Sequence, residues 1–212
     1  MINFIKYTHF ISSKQVITMR NHENKLFIQK YIAYFGRISD IKGLRIVYEL
    51  AKHRPDLTFI MCGQGDATPY AGLPNLIYKE PLHGKARSEF LGNAMAVLMP
   101  TRYVEPFGGV TVEAELCGTP VIGSSYGSFT ETIKHGSTGF NCRTLGDYLA
   151  AIERIEDGHI SRQHVRTFAV ERYDMYKLAK DYDNVFQQIN DIKNSSGWYS
   201  YRSNIGQVTR AI

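Results

Sequence analysis

Glu105 and Glu113 bracket a Gly-Gly pair in the stretch Glu105-Pro106-Phe107-Gly108-Gly109-Val110-Thr111-Val112-Glu113. The stretch reads as a loop running into a helix, with Gly118 as a stop and a buried strand beyond it. Glycines let a ligand come close to backbone N–H groups. A helix N-terminus carries partial positive charge and unsatisfied donors, so it suits an anion. Glu113 falls about one turn into this helix, where a carboxylate can accept two hydrogen bonds from a vicinal diol such as a ribose. Glu105, in the loop before the turn, can face the same pocket mouth. An unmet sugar hydroxyl in a buried site costs roughly 1–3 kcal/mol, so polyhydroxyl recognition needs such acceptors. A second pair, Arg37 and Lys42, flanks a short polar loop after Gly36. Lys42 is expected in the first turn of a helix, where the macrodipole disfavours a cation. An anion between the cation and the helix end removes that conflict. The plainer alternatives are two solvated cations and a helix start with solvated acids.

Positioning these groups requires strands that end at them. An apolar run over 31–35 reads as a strand closed by Gly36, and a helix then runs to about His53. Ser39 or Asp40 can cap that helix, and Pro55 ends it. Its Leu44, Val47, Tyr48 and Ala51 recur at helical spacing and are expected to face a sheet. Further strands are expected over 57–62, 75–78, 94–99 and 119–122, with helices over 85–93 and 109–116. Gly63 opens a Gly-x-Gly turn after the second of these strands. Residues 79–83 then lie at a strand's C-terminal end, where open α/β sheets bind ligands. Cys117 shares a helix face with Val110 and Ala114, which makes it a core residue rather than a nucleophile. The alternation over 31–140 indicates βα units and a parallel, Rossmann-like sheet flanked by helices. Amphipathic helices follow over 145–156, 162–171 and 175–189. Asp181 and Asp183 spell Asp-x-Asp inside the last of them, where positions i and i+2 do not share a face, so they are not read as a metal site. The domain is expected to span 31–190, after a lead-in segment over 1–30 and before a tail over 191–212 that contains Trp198.

The bulk numbers narrow the class. With 212 residues and 43% hydrophobic content, the chain can bury a core of one domain with extensions. The formal charge of +5 suits a phosphate-bearing ligand but lacks the dense basic stripe of a nucleic-acid binder. Cys62, Cys117 and Cys142 are odd in number, widely spaced and without metal-ligand spacing, which favours reduced thiols in the cytoplasm. There is no run of about 18 apolar residues to span a membrane, leaving at most a peripheral contact. No strand-linked Gly-x-Gly-x-x-Gly with a downstream acid is present, which disfavours a dinucleotide oxidoreductase.

The stretch from Glu105 to Glu113, continued by Ala114-Glu115-Leu116-Cys117-Gly118-Thr119-Pro120-Val121-Ile122, resembles family 4 of the retaining glycosyltransferases with the GT-B fold. The strand, Gly36-Arg37, polar loop, Lys42-Gly43 and helix order is similar to the same family's pattern. The resemblance covers roughly residues 31–190 and implies a single GT-B half-domain, the C-terminal, donor-binding one. The implied ligand is a nucleoside diphosphate sugar, UDP- or GDP-linked, used without cofactor or metal. By the same resemblance Arg37 and Lys42 contact the diphosphate, with support from the backbone at Gly36 and Gly108 to Val110. Glu105 orients the sugar, Glu113 holds the ribose, Phe107 belongs to the pattern, Gly63 borders the nucleotide and residues 79–83 touch the base. The stretch Tyr126-Gly127-Ser128-Phe129, with Glu131, departs from the Gly-Gly and nearby acid that the family often carries. By the resemblance an acceptor site normally comes from the other half, so the acceptor is unknown and a second chain supplying the N-terminal GT-B domain is an expected partner. Three readings follow: a glycosyltransferase or its donor-binding half, a non-catalytic sugar-nucleotide module completed by another chain, and a sugar-nucleotide epimerase of cousin fold.

Overall fold

The computed structural model describes residues 31–195, so the lead-in over 1–30 and the tail beyond 195 lie outside the described residues. Six strands form one parallel sheet: β1 (Tyr31–Phe35), β2 (Thr58–Cys62), β3 (Leu76–Lys79), β4 (Ala96–Met99), β5 (Val121–Ser124) and β6 (Gly139–Cys142). Their spatial order is β3-β2-β1-β4-β5-β6. The register sets Ile32 opposite Phe59 on one side and opposite Ala96 on the other. Strands covered on both faces read as continuous apolar runs, and β1 and β4 are buried at every position.

The helices are α1 (Leu44–His53), α2 (Gly84–Asn93), α3 (Gly109–Leu116), α4 (Phe129–Thr132), α5 (Leu145–Glu156), α6 (Arg162–Tyr173) and α7 (Met175–Asn194). The period-2 alternation of the strands divides the core into two layers. Ile32, Tyr34, Phe59 and Leu98 face Leu44, Val47, Ile152 and Val165, so α1, α5 and α6 cover one face. Tyr31, Ala33, Phe35 and Val97 face Phe90, Leu91, Ala114 and Phe129, so α2, α3 and α4 cover the other.

Two polar devices lock the layers. Arg162 of α6 donates to the Ala94 carbonyl at 2.7 Å and to Thr119 Oγ1 at 2.7 Å, which satisfies groups at a buried helix-to-strand turn. Thr144 caps α5 in a reciprocal capping box with Asp147. The expected helix over 162–171 runs to Tyr173, and the one over 175–189 runs to Asn194. The chain divides into two compact units, the first ending at Arg172 and the second beginning at Tyr173. In the second, Asp174 caps α7 by accepting from the Lys177 N–H at 2.9 Å.

Candidate functional site

The sheet order reverses between β1 and β4, because the chain builds outward from β1 to β3 and then returns to β4. The segment after β1 leads to α1 on one face, and the segment after β4 leads to α3 on the other. A crevice opens where two such loops diverge, the usual ligand site of an open α/β sheet. The two loops are tied at its floor. The Arg102 N–H donates to the Ile41 carbonyl at 2.9 Å. Gly43 has φ 82°, and a Cβ there would lie 1.9 Å from the Pro100 carbonyl oxygen, so only glycine fits.

That contact corrects the expected helix start. Asp40–Lys42 makes a single 3-10 turn, Gly43 breaks it, and α1 begins at Leu44. Ser39 makes no side-chain capping bond. Lys42 therefore precedes the α-helix instead of sitting in its first turn. Its Nζ donates to Glu105 Oε2 at 2.6 Å and to the Tyr103 hydroxyl. The Tyr103 hydroxyl in turn donates to Glu105 Oε2 at 2.6 Å. Lys42 also lies 4.7 Å from the centre of the Tyr103 ring. Burial pushes the Glu105 carboxyl up, but the bonds from Lys42 and Tyr103 outweigh it and hold the carboxyl below its ordinary range. Burial likewise disfavours the Lys42 cation, and the same partners more than restore it.

Arg37 is exposed on the loop after β1, and its carbonyl accepts from the Tyr34 hydroxyl at 2.6 Å. The loop is further pinned by Ile38 N–H to Gln64 O at 2.9 Å and by Tyr70 hydroxyl to Asp40 Oδ1 at 2.6 Å. Gly36 donates to the Cys62 carbonyl at 3.0 Å. A Cβ on Gly63 would lie 1.7 Å from the Gly36 oxygen, so Gly63 is needed for the close approach of the two loops.

On the other side of the crevice Gly108 caps α3 with φ 68°, and no side chain caps this helix. In its first turn the Thr111 N–H donates to the Gly108 carbonyl at 2.8 Å, so the Gly109 and Val110 N–H groups are the ones without an intrahelical acceptor. Val110 also packs partly on the core, while Phe107 is 47% exposed. Glu113 pairs with Arg87 of α2, with side-chain exposures of 12% and 20%. Burial pushes the Glu113 carboxyl up, and the Arg87 charge and hydrogen bond oppose this, leaving it above its ordinary value. Glu105 and Glu113 are therefore held by different cations. Cys117 closes α3 with its thiol pushed up to about 11 by burial, the opposite of an activated nucleophile.

Two residues of this arrangement were not singled out from sequence. Tyr103 stands two positions before Glu105, and an extended i, i+2 pair shares a side, so its partnership was open to notice. Arg87 had no local signal, because its contact with Glu113 depends on how α2 packs against α3. Among the described residues no cluster of three His, Cys, Asp or Glu side chains could hold a metal ion. Among them, too, no helix is long and apolar enough to cross a membrane.

Residues 18–172 match the glycosyl transferases group 1 family. The chain is 27% identical over 168 residues to the D-inositol 3-phosphate glycosyltransferase of Paenarthrobacter aurescens, covering 67% of this chain and 41% of that protein. It is also 27% identical over 177 residues to the N-acetyl-alpha-D-glucosaminyl L-malate synthase of Bacillus anthracis, covering 76% and 46%. Its fold is similar to that of Anabaena HepE in complex with UDP and glucose, with a TM-score of 0.67 at 21% identity over 76% of this chain and 49% of that one. Sucrose-phosphate synthase from Thermosynechococcus elongatus superposes with a TM-score of 0.68 at 21% identity, over 78% and 47%. The chain spans about half the length of these relatives or less. Such solved structures are GT-B glycosyltransferases, and the Rossmann-like sheet of this chain corresponds to half of each. With the family matched over most of its length, this chain belongs to the glycosyl transferases group 1.

Proposed function

We propose that this chain is the C-terminal, donor-binding half-domain of a retaining family 4 glycosyltransferase, acting without metal on a nucleoside diphosphate sugar. The observation that carries the reading is the joining of Lys42 to Glu105 across the crevice between β1 and β4, beside an uncapped helix N-terminus. An ammonium has three donors. Lys42 directs two at Tyr103 and Glu105, and the third suits a phosphoryl oxygen. Arg37 adds a second cation from the same loop. Together they stabilise the negative charge that gathers on the diphosphate as its bond to the sugar C1 breaks, a task that a metal performs elsewhere. The N–H groups from Gly108 to Val110 add to the same field. Glu105, anchored by Tyr103, orients the sugar through its hydroxyls, and Glu113 accepts from the ribose diol. UDP is the favoured nucleotide, supported by the UDP complex of the similar Anabaena fold.

The match to about half of each relative favours a second reading, a non-catalytic sugar-nucleotide-binding module completed by a separate acceptor-binding chain. Binding and transfer separate the two. Titration with UDP, GDP and ADP without metal should give saturable binding of one of them, weakened about tenfold or more in Lys42→Ala and Glu113→Ala. Equal affinity in wild type and both variants would overturn the site. Release of sugar or its transfer by this chain alone would favour the transferase half-domain over the non-catalytic module.

A further inference from the structure

Arg87 lies on α2, outside every loop assigned to the nucleotide above, yet it is the partner of Glu113. Its guanidinium stacks 4.4 Å from the centre of the Phe35 ring. Phe35 is the last residue of β1, directly before Gly36 and Arg37, and its own ring packs 6.1 Å from Phe90. The cation is therefore clamped between the end of a central strand and the carboxylate on α3. A planar guanidinium held on a ring face keeps its N–H groups in one fixed plane. Its bond is made to Glu113 Oε2. An ionised carboxylate has about four acceptor positions, so this bond leaves Oε1 to receive a diol.

We propose that Arg87 is a positioning residue of the nucleotide site, stacked on Phe35 so that it fixes the direction in which the Glu113 carboxylate accepts the ribose hydroxyls. This rests on the nucleotide reading given above. The same pairing sets the charge of the acceptor. Glu113 is mostly buried, and burial favours its neutral form, while Arg87 opposes that. The other ionisable groups around it do not replace Arg87. Cys117 on the same helix has a thiol pushed up to about 11 and stays neutral. β4 and β5 carry no ionisable side chain, α4 contributes only the exposed Glu131, and Lys85 and Glu89 of α2 are exposed and pair with each other at 3.4 Å. Without Arg87, Glu113 takes up a proton at higher pH, and a protonated carboxyl loses acceptor capacity.

The test is calorimetric titration of UDP into the wild-type chain, Arg87→Gln, Arg87→Lys, Glu113→Gln and the double variant Arg87→Gln/Glu113→Gln, at pH 6 and pH 8. Carboxyl NMR titration of Glu113 in the wild type and both Arg87 variants accompanies it. Arg87→Gln should bind about tenfold more weakly at pH 6 and recover part of the loss at pH 8, where the wild type changes little. Arg87→Lys, which keeps the charge, should restore the flat pH profile and stand in if the glutamine variant does not fold. In the Glu113→Gln background, removing Arg87 should cost little. The Glu113 titration should move to higher pH in Arg87→Gln. Wild-type binding with the same affinity and pH profile in Arg87→Gln would overturn the role of Arg87 alone, as would an unmoved Glu113 titration. Absence of wild-type binding to UDP, GDP and ADP would instead overturn the nucleotide reading and this proposal with it.

Discussion

Two glutamates two positions apart in α3 are used in opposite ways. Glu113 is paired with the Arg87 cation, while Glu115 is fully buried and has only the neutral Thr138 within bonding distance. Thr138 Oγ1 donates to Glu115 Oε1 at 2.8 Å, and burial pushes the carboxyl up to about 8 against that bond and the charge of Arg172. A carboxyl whose folded value exceeds its unfolded one binds its proton more tightly in the native state. Its contribution is thus fully present below about pH 4.5 and is lost as pH rises from there to about 8. Glu115→Gln keeps the shape without the charge. It should raise the melting temperature at pH 9 by a few degrees, at about 2–4 °C per kcal/mol, and leave it nearly unchanged at pH 4.5. An equal shift at both pH values would show that ionisation is not the cause. Glu105 has the reverse sign. Its folded value is depressed, so its stabilisation is present above about pH 4.5 and is lost as pH falls through the folded value. The pair is partly solvated, so Glu105→Gln should cost roughly 0.5–1 kcal/mol in urea unfolding at pH 7 and less at pH 3. A cost that stays constant with pH would point to packing instead.

At the scale of the element, the 3-10 turn over Asp40–Lys42 matters more than the helix behind it. A helix running straight from Ser39 would carry the Lys42 side chain around the helix axis as one of its turns. Breaking at Gly43 lets the loop drop against Pro100 and brings Lys42 to Glu105. Gly43→Ala adds a methyl into the Pro100 carbonyl in a left-handed conformation. It should cost about 2 kcal/mol or more in urea unfolding and weaken nucleotide binding by displacing Lys42. A near-neutral change would mean that the loop can move away without loss. The helix over 85–93 was legible in outline, and the structure starts it at Gly84 with no side-chain cap from His83. Most remaining strand boundaries differ from the sequence reading by one or two residues; in β2, β4 and β5 burial at nearly every position removes the alternation that would mark the strand, whereas β3 keeps exposed positions.

For the molecule as a whole, the site belongs to the gap between two loops rather than to either half of the sheet. A ligand bridging the loops after β1 and β4 should therefore stabilise the entire unit. At about 100 times its dissociation constant a nucleotide should add roughly 2.7 kcal/mol, a rise of several degrees in melting temperature at about 2–4 °C per kcal/mol. No rise with UDP, GDP or ADP would count against a preformed donor site. The sequence by itself determined the parallel α/β class, the order of its elements and membership of the glycosyl transferases group 1. Apolar runs, Gly punctuation and the stretch from Glu105 to Ile122 are local patterns that no distant contact has to complete. It also made the apolar face of Cys117 legible, which the structure packs, partly buried, against the core, since i, i+3 and i, i+4 neighbours follow from helix geometry alone. Tertiary structure decided the partners. Whether Lys42 meets an anion or Glu105, whether Arg87 reaches Glu113, and whether Glu115 is solvated or sealed against Thr138 depend on which face each element turns to a neighbour far away in sequence. The physical reason is that a charge takes its energy from whatever lies within a few ångströms, and those neighbours are brought by packing.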